Sequence, residues 1–351
     1  MIVVHAFALY GRLAASTRYR LEQYVPGLAL HGIDLRLSYL LDDIYLTSTF
    51  KGHKASAWQM LRSGLGRLSD LVELRRFSAA IVHCELLPLV PGWLEAALLY
   101  RPFLYDFDDA FYLRYRQGRL RHLDSLLGPK FDAVIKKAAA VTAGNGELAR
   151  YASRFNVNTE ILPTVVDTRR YRVAPRKTDS IFTVGWIGSP STAAYLNALI
   201  GPLSQLALEG PVRVVVVGAR APVIVGVEVI ERAWREDTEV EQILAFDVGV
   251  MPLPDDDWAR GKCAFKLIQY MACGIPVVAS AVGANKDVVA PDCGFLVEHE
   301  GGWVQALRAL RDSPDLRGHM GASGRHRVEG HYSLEVALPK MAAVLTRIAT
   351  S

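Results

Sequence analysis

Short apolar runs alternate along most of this chain with stretches whose apolar positions recur every third or fourth residue. The runs at 2–9, 34–40, 79–84, 102–107, 140–143 and 159–162 predict strands, and a helical pattern over 16–31 separates the first two. A polar, basic stretch follows, from Arg169-Arg170-Tyr171-Arg172 to Arg176-Lys177-Thr178-Asp179, and then the alternation restarts. Strands are predicted at 181–187, 212–217, 248–252 and 276–280, with helices between them at 192–208, 238–245 and 265–273. Strands interleaved with helical patterns imply βαβ units and parallel sheets. The restart implies two such sheets, joined near residues 165–180.

One segment breaks the rhythm. Residues 54–77 carry Trp58, Leu61, Leu65, Leu68, Val72 and Phe77 at helical spacing, with Arg62, Arg67, Arg75 and Arg76 among them. Two readings fit: a helix that packs its apolar face on the sheet, or a basic amphipathic helix lying on an anionic membrane surface.

Composition narrows the class without naming it. A hydrophobic fraction of 51% and a charged fraction of 22% exclude a disordered or collagen-like chain. Forty basic against 36 acidic residues leave +4, too mild a charge to argue for nucleic acid as a partner. The four cysteines, Cys84, Cys263, Cys273 and Cys293, form no C-x-x-C pair and the histidines do not cluster with them, which argues against a zinc site or disulfide framework and suits a reducing cytosol. The opening residues lack a basic leader and read as a first strand. The most apolar stretch, 81–105, is interrupted by Glu85, Pro88, Pro91, Glu95, Arg101 and Pro102, so it falls short of the ~20 residues of a membrane span. A cytoplasmic protein, peripheral at most, is expected.

Common catalytic signatures are missing: G-x-G-x-x-G, the P-loop, H-E-x-x-H and G-x-S-x-G. Asp255-Asp256-Asp257 reads as a solvated loop, with cation binding as the lesser reading. His83, at the end of a buried strand, reads as a core histidine. The densest information lies in Gly261-Lys-Cys-Ala-Phe-Lys-Leu-Ile-Gln-Tyr-Met-Ala-Cys-Gly-Ile-Pro276 and the strand after it. Gly274 and Pro276 end a helix there. Lys262, Lys266 and Gln269, spaced i, i+4 and i+7, are predicted to share a face of that helix. Two lysines beside a helix start describe an anion site, most plausibly for a phosphate or diphosphate. Plain solvation of both is the alternative.

The run from Gly261 to Pro276, continued by Val277-Val-Ala-Ser-Ala-Val-Gly283, resembles the donor-binding segment of glycosyltransferase family 4. Trp186-Ile-Gly-Ser-Pro190 is similar to that family's first C-domain strand and glycine loop. Val141-Thr-Ala-Gly-Asn145 and Ile161-Leu-Pro-Thr-Val-Val-Asp167 resemble its last N-domain strands, and Tyr332-Ser-Leu334 its terminal helix. The resemblance implies an α/β chain of GT-B architecture, two facing Rossmann-like domains with parallel sheets. It implies an acceptor-side domain over 1–168, a donor domain over 169–330, and a helix over 331–351 crossing back to the N-domain. The implied activity is retaining transfer of a sugar from a nucleoside-diphosphate donor to an acceptor hydroxyl, glycan or lipid-linked. No cofactor and no metal are expected.

The departures from the family are specific. Gly261 and Gln269 stand where many members have a Glu pair. The resemblance assigns Gln269 to the donor ribose, whereas Gly261 has no side chain for the sugar. No Arg or Lys follows the first C-domain strand, so Gly188, Ser189 and Lys262 would contact the donor and Lys266 would be the main cation at the diphosphate. In the N-domain, Arg101-Pro-Phe-Leu-Tyr-Asp-Phe-Asp-Asp-Ala110 ends a strand in three carboxylates, where parallel sheets form their sites. Asp108 falls where many relatives have an active-site His. Asp106 and Asp108 are expected to meet the transferred sugar or acceptor hydroxyls, and Asp109 the acceptor or the cap of the next helix. A D-x-D metal site is the runner-up. Arg18 and Arg20 would meet an anionic acceptor or donor phosphate, unless both are solvated. Lys266, Asp108 and Asp106 are thus the expected catalytic set. A nucleotide-sugar epimerase of the same fold and a non-catalytic sugar-nucleotide binder remain as rival functions.

Overall fold

Runs of β-branched and small apolar residues that lie buried on both faces have one stable arrangement, the interior of a parallel sheet covered by helices. A computed structural model describes residues 1–50, 53, 56–175 and 181–350. The start of the 54–77 segment and the 176–179 end of the basic stretch lie outside them. The chain divides into two units. The first comprises Met1–Val165, Gly261–Cys263 and the chain from Leu334 onward; the second comprises Val166–Arg260 and Ala264–Ser333.

The first unit holds a six-stranded parallel sheet. Its strands are β1 (Ile2–Tyr10), β2 (Ile33–Leu41), β3 (Ala79–His83), β4 (Phe103–Phe107), β5 (Ala140–Ala143) and β6 (Thr159–Ile161), in the order β2-β1-β3-β4-β5-β6. β3, β4 and β5 are buried at every position. The order reverses between β1 and β3, and ligands of such sheets bind beyond the strand ends at the reversal. The predicted helix over 16–31 is broken into Ala15–Arg20, a 3₁₀ turn at Glu22–Tyr24, and Val25–Leu30. Pro26, in the first turn of the last piece, has no N–H to carry a continuous ladder. The terminal helix Leu334–Thr350 packs Ala337, Met341, Val344, Leu345 and Ile348 into one core with Val4, Leu21, Leu28 and Leu104.

The second unit repeats the principle with β7 (Phe182–Ile187), β8 (Val212–Val217), β9 (Glu228–Arg232), β10 (Val248–Met251), β11 (Val277–Ser280) and β12 (Gly294–Val297). Their order is β12-β11-β10-β7-β8-β9, all parallel. The reversal here lies between β7 and β10. Two strand glycines admit rings: a Cβ on Gly185 would stand 2.0 Å from the Phe246 ring, and one on Gly249 2.2 Å from the Tyr270 ring. Tyr270 then reaches the end of β7, where its hydroxyl accepts from the Ile187 amide at 3.0 Å. The helix Phe265–Ala272 is thereby tied to the strand end that the candidate site uses.

The helix expected within 54–77 runs over Ala57–Glu73, with Ser56 capping it by accepting from the Gln59 amide. It faces the other way from the packing reading. Arg67 and Leu71 are buried, whereas Trp58 is 78% exposed, Leu65 58%, and Leu61, Leu68 and Val72 also lie outward. The Arg67 guanidinium donates to the Ala8 carbonyl at 2.6 Å and to Ser38 Oγ at 3.0 Å, and lies over the Phe7 ring. A buried cation with backbone and ring partners thus replaces the aliphatic face that periodicity suggested.

Candidate functional site

In the first unit, β4 delivers Asp106 at its end, fully buried. Arg20 donates to both carboxylate oxygens, Nε to Oδ2 at 3.1 Å and a terminal nitrogen to Oδ1, and also to the Leu162 carbonyl. Thr142 Oγ1 donates to Oδ1 at 2.6 Å, and His83 Nδ1 lies 2.8 Å from Oδ2. Against the opposing effect of burial, Arg20 and the His83 hydrogen bond hold this carboxyl well below the usual carboxylate range. Asp106 and Arg20 are therefore a structural pair joining β4 to the first helix. This corrects the expectation that Asp106 meets substrate and that Arg20 meets an anion: neither side chain is accessible. Arg18 is buried as well, and its guanidinium donates to the Arg12 carbonyl at 2.7 Å, so the solvated alternative fails for both arginines.

Past Asp106 the chain leaves the sheet. Asp108 and Asp109 are half-buried. Asp109 Oδ1 stands 3.5 Å from Lys262 Nζ, while its backbone carbonyl accepts from the Phe111 amide. The Cys263 thiol donates to the Asp108 carbonyl at 3.0 Å. Asn145 gives its side-chain amide to the carbonyls of Gly261 and Lys262, at 2.9 and 3.0 Å, and caps the next helix by accepting from the Leu148 amide. These bonds explain why Gly261–Cys263 belongs to the first unit, although the sequence placed it in the donor domain. They also correct the helical face assigned to Lys262. The helix starts only at Phe265, after Ala264 in a left-handed conformation (φ 53°), so Lys262 precedes it and pairs with Asp109. A Cβ at Gly261 would stand 2.6 Å from that of Ala110, which leaves no room for a side chain there.

Cys84 directly follows the neighbouring strand β3 in a left-handed conformation (φ 64°). Its thiol lies 3.3 Å from His83 Nε2 and 3.9 Å from Asp108 Oδ1. Burial, and after it the Asp108 carboxylate, push this thiol well above the ordinary range, and the same two causes act on Cys263. His83 is buried, as expected of a core histidine, but it is bonded on both ring nitrogens to groups of the site.

In the second unit the ends of β7 and β10 flank the reversal. Gly188 follows β7, and a Cβ on it would strike both the Trp186 ring (2.6 Å) and Lys266 Cε (2.7 Å). Lys266, second residue of its helix, carries its ammonium over the Trp186 ring at 5.5 Å. The residue before that helix, Ala264, has no side chain that could cap it. Ser189 Oγ and Ser191 Oγ lie 2.8 Å apart at the start of the 3₁₀ helix Pro190–Leu199. The structure thus brings together Gly188, Ser189 and Lys266, a cation beside two helix starts, which suits an anion. Gln269 departs from expectation. It is buried, and its amide donates to the Tyr171 hydroxyl at 2.8 Å, which in turn donates to Glu239; Trp234 Nε1 donates to the same carboxylate at 2.7 Å. A side chain held in this network does not reach out to a ribose. Asp255 and Asp257 pair with Arg260, and Asp256 accepts from the Ala259 amide, so the acidic loop is internally satisfied.

Sequence reasoning missed the roles of Trp186, Asn145 and Cys84. Trp186 and Asn145 lay inside recognised motifs, but nothing in their spacing reveals the contact each makes. The adjacent His83-Cys84 at a strand end was the available signal for the third.

Residues 180–313, most of the second unit, match the family described as "Glycosyl transferases group 1". A curated relative, the GDP-mannose-dependent monoacylated alpha-(1-6)-phosphatidylinositol monomannoside mannosyltransferase of Corynebacterium glutamicum, is 35% identical over 82 residues, 22% of this chain and 21% of the relative. The matched region thus spans about a fifth of that relative's length. Among solved structures, Anabaena Alr3699/HepE in complex with UDP-glucose superposes with a TM-score of 0.73 at 14% identity, over 99% of this chain and all of that one. Sucrose-phosphate synthase (tll1590) from Thermosynechococcus elongatus gives 0.71 at 14% over the whole of both chains. WaaG, a glycosyltransferase involved in lipopolysaccharide biosynthesis, gives 0.67 at 15% over 98% of this chain and all of that one. At such identities the likeness is one of fold, and the fold is GT-B.

Proposed function

We propose that this protein is a retaining, family-4-like glycosyltransferase that moves a sugar from a nucleoside-diphosphate donor to an acceptor hydroxyl in glycan or glycolipid synthesis. The observation that carries this reading is local: the group 1 glycosyltransferase match falls on the Rossmann-like unit whose strand ends gather Gly188, Ser189 and Lys266. The leaving group of such a transfer is a nucleoside diphosphate, so the chief need is stabilisation of charge developing there. The Lys266 ammonium, backed by Trp186, is placed to supply it. A protein of this fold, Anabaena HepE, is solved with UDP and with UDP-glucose, and the curated relative is named for GDP-mannose, which supports the donor class and leaves the base open. Asp108, beside Asp109 and the Lys262 that pairs with it, is the group we assign to acceptor or sugar hydroxyls. The tight fit at Gly261 and the enclosed Gln269 point to a donor grip that differs from the family's Glu pair.

The acceptor side of the proposal includes a membrane. Among the described residues no helix is long and apolar enough to cross a bilayer. The helix Ala57–Glu73, however, turns Trp58, Leu61, Leu65, Leu68 and Val72 outward beside exposed Arg62, with exposed Arg75 and Arg76 following it. An outward apolar stripe bordered by cations suits a peripheral hold on an anionic, cytoplasmic leaflet that carries a lipid-linked acceptor.

The test is release of nucleoside diphosphate from a panel of nucleotide sugars, with and without glycan or lipid-linked acceptors. Acceptor-dependent release with a retained anomeric configuration is expected. Tight nucleotide binding without release would overturn transfer in favour of a non-catalytic binder, and an epimerised free donor in favour of an epimerase.

A further inference from the structure

Outside the donor grip, the first unit gathers three metal-binding residue types at one point. A ring nitrogen of His83, Cys84 Sγ and an Asp108 carboxylate oxygen all lie within 4.8 Å of one another. They sit at the end of β3 and just past β4, next to the strand-order reversal of their own sheet. We propose that His83, Cys84 and Asp108 form a binding site for a thiophilic divalent cation of the zinc type.

Four features support the site. The donor set of imidazole, thiol and carboxylate is one that zinc takes with a fourth position open. Bond lengths of 2.0–2.3 Å in tetrahedral geometry need donor separations of roughly 3.4–3.6 Å. Cys84 Sγ and His83 Nε2 are already 3.3 Å apart, and a turn of the half-buried Asp108 closes the third side. Asp106 accepts from His83 Nδ1, since an ionised carboxylate is acceptor-only; this orients the ring with Nε2 toward the thiol. A carboxylate behind a ligating histidine is the usual second support of a metal site, and here Arg20 and Thr142 lock that carboxylate in turn. Finally, the left-handed backbone at Cys84 is a conformation that a non-glycine residue adopts at some cost, and it keeps the thiol beside His83.

Binding replaces the thiol proton by the metal: a metal–thiolate bond forms, the S–H bond breaks, and one proton leaves to solvent. The fourth position is left for water or a hydroxyl. The second Asp108 oxygen remains available for the hydroxyl contact proposed above. The site departs from two expectations: the argument from cysteine and histidine spacing against a zinc site, and the expectation carried by the family resemblance that no metal is bound. It goes beyond the transferase reading and is tested without it.

The test uses the full chain, stripped with chelator and titrated with Co2+. One equivalent is expected to produce the near-ultraviolet thiolate-to-cobalt absorption, release about one proton as the thiol ionises, and be displaced by Zn2+. Cys84→Ser should abolish the absorption and Cys263→Ser should leave it. Should Cys84→Ser fail to fold, Asp108→Asn serves instead: it removes no buried ion pair and is expected to weaken Co2+ binding by at least tenfold. No absorption at one equivalent, an absorption that survives in a folded Cys84→Ser, or unchanged affinity in Asp108→Asn would each overturn the site.

Discussion

Arg20 and Asp106 form a buried ion pair in which the guanidinium meets both carboxylate oxygens, eighty-six positions apart in sequence and closed to solvent on all sides. Removing one partner leaves an uncompensated charge in a low-dielectric interior, which costs about 3–5 kcal/mol. Asp106→Asn should therefore lower the denaturant midpoint of the first unit sharply. The double substitution Arg20→Met with Asp106→Leu should recover much of that loss, since apolar replacement of a whole buried pair is often neutral. A midpoint unchanged in Asp106→Asn would return the carboxylate to the candidates for substrate contact.

Lys266 and Gln269 are separated by the same reasoning. A charge-assisted bond to phosphate is worth about 1.5–3 kcal/mol, so Lys266→Ala should weaken nucleoside-diphosphate binding about ten- to hundredfold and leave the bare nucleoside nearly unaffected. Gln269→Ala removes the amide that donates to Tyr171 and should lower stability by about 1 kcal/mol, with little change in nucleoside affinity. Isothermal titration with diphosphate and nucleoside distinguishes the two. Equal diphosphate affinity in Lys266→Ala would move the anion site elsewhere.

The buried His5 makes stability pH-dependent. Burial first, and then the nearby Arg67 and Arg36, depress its imidazole from 6.5 to about 4, against the opposing carboxylates of Asp70 and Glu73. Between those values the unfolded chain binds a proton that the folded chain does not, so stability is full above pH 6.5 and declines as the pH falls towards 4. The separation amounts to on the order of 3 kcal/mol. In His5→Gln, which keeps a donor for Ser38, the slope of unfolding free energy over that window should flatten. A slope equal to that of the parent would assign it to other groups.

The outward stripe on Ala57–Glu73 gives a membrane prediction. Leu61→Asp with Leu65→Asp should reduce co-sedimentation with anionic vesicles while changing the unfolding free energy by no more than about 0.5 kcal/mol per substitution, because both positions are exposed. Binding by the parent should also weaken at high salt as the screening length shortens. Equal pelleting of parent and variant would locate the contact elsewhere.

The sequence alone determined the two parallel sheets. Runs such as 214–217 and 248–251 are buried on both faces, and that burial demands continuous apolar residues whose length and spacing survive any rearrangement around them. It was weaker at the margins. β9 escaped notice because Glu228, Glu231 and Arg232 sit on an edge strand where one side meets water. The predicted helix over 192–208 proved to be 3₁₀ over Pro190–Leu199 and α only over Ile200–Ala207, a difference of hydrogen-bond register that composition does not encode.

The candidate site divided in the same way. Lys266, Gly188 and Asp108 could be singled out because motif order along the chain is local information. Only the tertiary structure decided that Asp106 and Arg20 satisfy each other, that Gln269 is held by Tyr171, that Lys262 answers Asp109, and that Leu65 faces outward while Arg67 faces in. A side chain's role depends on what lies within hydrogen-bonding distance of it. For these residues the nearby groups come from positions tens to more than a hundred residues away, brought in by sheet order and helix rotation, which periodicity in one dimension does not contain.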